Sequence, residues 1–142
     1  MSPAGAGLYL MTGPRIMLVE DEFLIAHVVS ELLESEGMTV VGPYAAIQPA
    51  MAMLDGGERP DGAILDVNLA EQRVFSLADR LIELRVPIVF TTGYDASILP
   101  ERYAGIPCLQ KPVRIALVLD ALGLTVPRSD ETRPSSPREG QP

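Results

Sequence analysis

Four short stretches carry the residue types from which a reactive site can be built. Ala63-Ile64-Leu65-Asp66-Val67-Asn68-Leu69 is an apolar run that ends in a carboxylate. Val19-Glu20-Asp21-Glu22 closes a second apolar run with consecutive acids, and Thr91-Thr92 closes a third. Gln110-Lys111-Pro112 closes a fourth with the only lysine of the chain, against ten arginines. If each run is a parallel strand, the residues that follow them gather at one sheet edge, where open α/β sheets bind ligands. Glu20, Asp21, Asp66, Thr92 and Lys111 would then share a pocket. Three carboxylates about 5 Å apart repel by about 3 kcal/mol per pair at an effective dielectric near 20. A hard divalent ion such as Mg2+ takes oxygen ligands and keeps waters, so it suits acids without His or Cys. Lys111 adds a compact ammonium, matched to a phosphoryl oxygen or a carboxylate, and Thr92 adds a hydroxyl donor. A carboxylate in that setting can attack phosphorus and hold the product as an acyl phosphate. Cation and ammonium would neutralise the transferring group, which is the main demand of phosphoryl transfer.

The rest of the chain must supply the strands. Residues 15–19 predict a first strand, and a helix opens at Asp21 or Glu22, with Ile25, Val28, Val29 and Leu32 at helical spacing before Gly37 ends it. Residues 38–41 predict a second strand closed by Gly42-Pro43. Residues 44–54 predict a helix with Pro49 near its start, stopped by Gly56-Gly57. The turn Pro60-Asp61-Gly62 leads into the third strand, and residues 75–84 predict a helix with Leu77, Ala78, Leu81 and Ile82 on one face. Residues 87–91 and 106–109 predict the fourth and fifth strands, and residues 113–122 a last helix with Ile115, Leu117, Val118 and Leu122 apolar. Between them, residues 95–104 are ambiguous. Gly93 precedes that segment, Pro100 interrupts it, and Ile98 and Leu99 are its only aliphatic anchors, so a weak or mobile helix is expected. Strands that are apolar throughout argue for a parallel sheet covered on both faces, a doubly wound α/β fold of five βα units.

At 142 residues the chain is long enough for one domain that buries about two-thirds of its unfolded surface. Residues 1–14 are Gly-, Ala- and Pro-rich and residues 125–142 are Pro-rich, and both are expected to be disordered around a domain at 15–124. The net charge of −8 falls entirely within 15–124. Such acidity opposes a phosphate backbone, so a nucleic-acid partner is not expected. No apolar stretch reaches the roughly 18 to 20 residues of a membrane span. The single cysteine, Cys108, excludes an internal disulfide and a cysteine metal cluster, and a weak, uncharged N-terminal apolar patch at residues 8–11 makes a poor secretion signal. A cytoplasmic setting is therefore expected.

Taken in order, Val19-Glu20-Asp21-Glu22, Leu65-Asp66-Val67-Asn68-Leu69, Thr92 and Lys111-Pro112 resemble the signature of response-regulator receiver domains of two-component signalling. The resemblance implies a flavodoxin-like sheet in the order 2-1-3-4-5 and Asp66 as phosphoacceptor, assisted by Thr92 and Lys111. It implies Mg2+ held directly by Asp21, Asp66 and the Asn68 carbonyl, with Glu20 acting through water, and a cis Lys111–Pro112 peptide. The partners implied are a sensor histidine kinase or histidine phosphotransfer protein and a downstream protein target. Such a protein catalyses only its own phosphorylation and dephosphorylation. More narrowly, Pro87-Ile88-Val89-Phe90-Thr91-Thr92-Gly93-Tyr94 resembles the FATGUY subgroup of stand-alone receivers found in alphaproteobacteria, some of them in stress signalling. Gly93 replaces the usual small residue such as Ala, Cys108 the usual aromatic, and Ala70 the Pro of many receivers. Thr92, Gly93, Tyr94 and Cys108 thus form the expected switch set, without a strand-five ring. Asn68 and Tyr94 occupy positions where receivers tune water access to the acyl phosphate.

Three other readings compete. A haloacid-dehalogenase-like phosphatase also forms an aspartyl phosphate, but it wants a second acid where this chain has Asn68, and room for a cap domain. A pseudo-receiver that never takes phosphate is opposed by the intact Asp66, Thr92 and Lys111. A nucleotide-binding flavodoxin-like protein lacks its Gly-rich phosphate loop here. His27 reads as a structural helix residue and Cys108 as a small buried hydrophobe.

Overall fold

The computed structural model describes residues 13–69, 74–93 and 99–124. Each apolar run forms a strand: β1 (Arg15–Val19), β2 (Thr39–Tyr44), β3 (Gly62–Asp66), β4 (Ile88–Thr92) and β5 (Cys108–Gln110). Four α-helices lie between and after them among the described residues, α1 (Phe23–Ser35), α2 (Ile47–Asp55), α3 (Val74–Glu83) and α4 (Ile115–Ala121). The strands are all parallel, in the order β2-β1-β3-β4-β5. Alternate residues of the inner strands enter two separate cores. Met17, Val19, Ala63, Leu65, Ile88 and Phe90 pack with residues of α2 and α3. Ile16, Leu18, Ile64 and Val89 pack with residues of α1 and α4. This two-sided burial is why these strands read as unbroken apolar runs.

Register aligns the strand ends. Val19 lies beside Leu65, Asp66 beside Thr91, and Thr92 beside Gln110. The residues that follow therefore come level at one edge.

Several boundaries differ from the sequence expectation. β2 continues past Val41 to Tyr44, with a register shift against β1 and a cis Gly42–Pro43 peptide. Proline is tolerated here because β2 is an edge strand. Gly42 sits at φ 107°, and a Cβ there would lie 2.7 Å from the Tyr44 nitrogen, so only glycine fits. α1 starts at Phe23 and buries Ala26, Val29 and Leu33, while Val28 and Leu32 stay partly exposed with Phe23 and Leu24. α3 buries Val74 in place of Ile82, and α4 buries Val118 and Leu119 and leaves Leu117 exposed.

The ambiguous segment also differs. Residues 94–98 lie outside the described residues, and the remainder holds one 3-10 turn, Glu101–Tyr103, in place of an α-helix. Its anchor is aromatic. Tyr103 is 1% exposed, stacks on Phe75 at 4.9 Å between centroids and meets Phe90 edge-on at 5.6 Å. The Tyr103 hydroxyl donates to Asp79 at 2.6 Å. A single buried ring thus ties this turn to α3 and β4, which a count of aliphatic residues overlooks. The expected disorder of residues 1–14 and 125–142 falls largely outside the described residues, although Gly13 and Pro14 are placed.

Candidate functional site

β3 delivers Asp66 as its last residue, 1% exposed. A turn follows it, and the Asn68 N–H donates to Asp66 Oδ1 at 2.8 Å. β1 delivers Glu20, whose N–H donates to the Tyr44 carbonyl at 2.9 Å, so the extended end of β2 holds it in place. Glu20 Oε2 in turn accepts from the Glu22 N–H at 3.0 Å, at the start of α1. β5 hands on to Lys111, whose backbone N–H donates to the Thr92 carbonyl at 2.7 Å and continues the β4–β5 ladder. The Lys111–Pro112 peptide is cis, as the sequence resemblance implies.

The side chains converge. Lys111 Nζ lies 2.9 Å from Glu20 Oε1 and 3.1 Å from Asp66 Oδ2. Glu20, Asp21 and Asp66 offer carboxylate oxygens that all lie within 4.8 Å of one another, with Asp21 exposed and the other two buried. Burial raises the pKa of Glu20 above the ordinary carboxylate value, against the lowering effect of the Lys111 hydrogen bond. Burial works against the Lys111 charge, but hydrogen bonds to Glu20 and Asp66 outweigh it and the ammonium's pKa rises. Lys111 pairs with two of three clustered carboxylates, so the set still favours an added cation. Oxygen donors alone, one of them open to solvent, fit a hard divalent ion that keeps part of its water.

Thr92 is buried beside this group, and its hydroxyl donates to Asn68 Oδ1 at 3.0 Å. The Gly93 N–H donates to the same oxygen at 3.1 Å. Sequence reasoning gave Asn68 a metal-binding backbone carbonyl and a place that tunes water access to the acyl phosphate, but not this side-chain contact with Thr92 and Gly93. Its signal is its position two residues past Asp66. Cys108 is half-buried in β5 opposite Phe90, and burial pushes its thiol pKa up. Tyr94 lies outside the described residues. Beside the site, a mostly apolar groove of about 400 Å3 is lined by α1 and by Lys111, Pro112 and Val113, with Glu20 and Lys111 among its polar lining residues.

Residues 16–122 match the family model of the response regulator receiver domain. Over 102 residues the chain is 30% identical to the phyllosphere-induced regulator PhyR of Methylorubrum extorquens, covering 70% of this chain and 36% of that protein. The chain thus spans about a third of the length of the curated relatives it matches. Among solved structures, the BeF3-activated conformation of SdrG from Pseudomonas melonis Fr1 is 37% identical, with a TM-score of 0.63 over 78% of this chain and 96% of that one. A receiver protein from Burkholderia phymatum is 26% identical, with a TM-score of 0.69 over 82% of this chain and all of that one. Among the described residues, no helix is long and apolar enough to cross a membrane. The sheet order, the acid cluster at its edge and the match over 107 consecutive residues agree, and the chain belongs to the response regulator receiver domain family.

Proposed function

We propose that Asp66 accepts a phosphoryl group from the phosphohistidine of a sensor kinase or phosphotransfer protein, and that the phosphorylated chain signals through protein contacts. The observation that carries this reading is the setting of Asp66. It is a buried carboxylate at the end of β3, with an ammonium 3.1 Å from one oxygen and two further acids around it. An Asp66 oxygen attacks phosphorus, and the N–P bond of the donor breaks with its electron pair left on the ring nitrogen, so that the imidazole, protonated on its other nitrogen, departs neutral. Lys111 balances negative charge on the incoming group, and Thr92 supplies a hydroxyl within the pocket. Mg2+ held by Asp21, Asp66 and the Asn68 carbonyl, with Glu20 behind them, would supply further charge neutralisation. The acid cluster supports this assignment. The chain then catalyses only its own phosphorylation and dephosphorylation, and its partners are the phosphodonor and a downstream protein.

The similarity to SdrG, whose activated conformation carries beryllofluoride, and the match of Pro87-Ile88-Val89-Phe90-Thr91-Thr92-Gly93-Tyr94 to the FATGUY pattern favour a stand-alone regulator of that kind. The test is intact mass after incubation with Mg2+ and acetyl phosphate. One phosphoryl group is expected on the wild type, and none in Asp66→Asn or with chelator present. Undiminished labelling of Asp66→Asn would overturn the assignment, and an unlabelled wild type would make the chain a pseudo-receiver.

A further inference from the structure

We infer that the side-chain amide of Asn68 is a latch on Thr92, and that its strength sets how readily the site takes up its phosphorylated arrangement. This rests on the reading of Asp66 as phosphoacceptor. Asn68 Oδ1 accepts from both Thr92 Oγ1 at 3.0 Å and the Gly93 N–H at 3.1 Å. A backbone N–H only donates, so the atom facing Gly93 is the amide oxygen and not the nitrogen. The Thr92 hydroxyl faces that same oxygen and therefore donates to it. Both lone pairs of Oδ1 are in use.

A threonine hydroxyl has one proton to donate. While it points to Asn68, it is not available to an oxygen of a phosphoryl group on Asp66. The two acceptors compete, and Asn68 is well placed for the competition. Its backbone N–H donates to Asp66 Oδ1 at 2.8 Å, so it adjoins the phosphoacceptor through its main chain and holds Thr92 through its side chain. Transfer of the Thr92 hydrogen bond to a phosphoryl oxygen empties one lone pair of Oδ1. Gly93, the other donor to that oxygen, is the residue that leads from β4 into Tyr94. Asn68 is thus a positioning residue. It acts through Thr92 and keeps the free site in a closed arrangement.

The affinity of a ligand for a state that is only partly populated falls by that fraction. One neutral hydrogen bond corresponds to about fivefold in population. Asn68→Ala removes the latch oxygen but keeps the backbone carbonyl assigned to the metal. The measurement is a beryllofluoride titration at saturating Mg2+, with Mg2+ affinity measured separately and the exchange of the Gly93 amide followed in the free protein. In Asn68→Ala, beryllofluoride is expected to bind about fivefold tighter, Mg2+ affinity to stay within about twofold, and the Gly93 amide to exchange faster. Asn68→Asp restores an acceptor oxygen and should restore Gly93 protection. A residue that only supported the loop would instead weaken both ligands on removal. Unchanged or weaker beryllofluoride binding in a folded, Mg2+-binding Asn68→Ala overturns the latch, as does unchanged Gly93 exchange. Asn68→Ser, too short to reach Thr92, is read in the same way if the alanine variant does not fold. Failure of the wild type to bind beryllofluoride or accept phosphate would refute the phosphoacceptor reading instead, and Gly93 exchange would still decide whether the latch exists.

Discussion

Glu20 sits where its charge is useful but costly. Burial favours its protonated form, and the repulsion of Asp66 adds to this, while Lys111 and the Glu22 N–H oppose it. Its pKa is therefore higher in the folded chain than in the unfolded one. Between those two values the native state binds more protons, so stability falls as pH rises through the window that starts near 4.5. Glu20→Gln lacks this dependence. Its melting temperature relative to wild type, both free of metal, should rise with pH above about 4.5 and level off once Glu20 is ionised. A difference that shrinks with rising pH would show that Glu20 is stabilised as the anion and that Lys111 dominates its environment. The identities of Glu20, Asp21, Asp66, Thr92 and Lys111 as neighbours were legible in the sequence because four apolar runs each end in such a residue; one of them alone would read as a cap or loop residue. Asn68 was only half legible. Whether an amide turns toward Thr92 or toward solvent is fixed by the turn after β3 and by the register of β4, and neither is written in residue type.

The same gap between composition and geometry recurs in the segment before β5. Gly93, Pro100, Gly105 and Pro107 promise little regular structure, and the described part forms only one short turn. Yet Tyr103 is fully part of the core, at 1% exposure. Burial, and then the neighbouring Asp79 carboxylate, raise the phenol pKa, so it remains a donor at neutral pH. Its ring packs on Phe90, the residue paired with Cys108 across the sheet, so an aromatic from the turn lies near the place where strand five has none. Sequence reading missed this because Tyr103 stands alone, without the periodicity that marks a helix or strand face. The energetic expectation follows from its contacts. Tyr103→Ala should cost about 3 to 5 kcal/mol, as for other large aromatic truncations in a core. Tyr103→Phe should cost only about 1 kcal/mol, because Asp79 is half exposed and regains water when it loses the hydroxyl. Urea midpoints of the two variants measure both. A loss below about 1 kcal/mol for Tyr103→Ala would mean that the turn is not anchored by this ring. Elsewhere at this scale the strands were legible through their apolar runs, whereas helix faces were less so. α1 buries Ala26, Val29 and Leu33, and leaves Val28 and Leu32 off that stripe although they fall at helical spacing.

The net charge of −8 falls within residues 15–124, and the parallel sheet collects three acids at one edge. Self-repulsion of that kind lowers the stability of the compact state. Two sorts of cation relieve it, and they differ in how. Monovalent salt screens all exposed charges and works gradually, with a Debye length of about 10 Å at 0.1 M. A divalent ion bound at Glu20, Asp21 and Asp66 stabilises only the folded chain, since the unfolded chain does not hold these residues together. Its effect follows the logarithm of concentration over Kd, reaching about 2.7 kcal/mol at a hundred times Kd. Thermal unfolding in MgCl2 and in KCl of equal ionic strength separates the two. MgCl2 is expected to raise the melting temperature well beyond KCl, with the excess saturating. The excess should vanish in Asp21→Asn and Asp66→Asn, because each removes one of the clustered carboxylates. Those variants should also melt higher than wild type without metal, because each removes repulsion at the sheet edge. Asp66→Asn will gain less, since it also takes from Lys111 one of its two partners. Equal effects of the two salts on wild type would mean that the acid cluster is balanced by Lys111 alone and holds no metal.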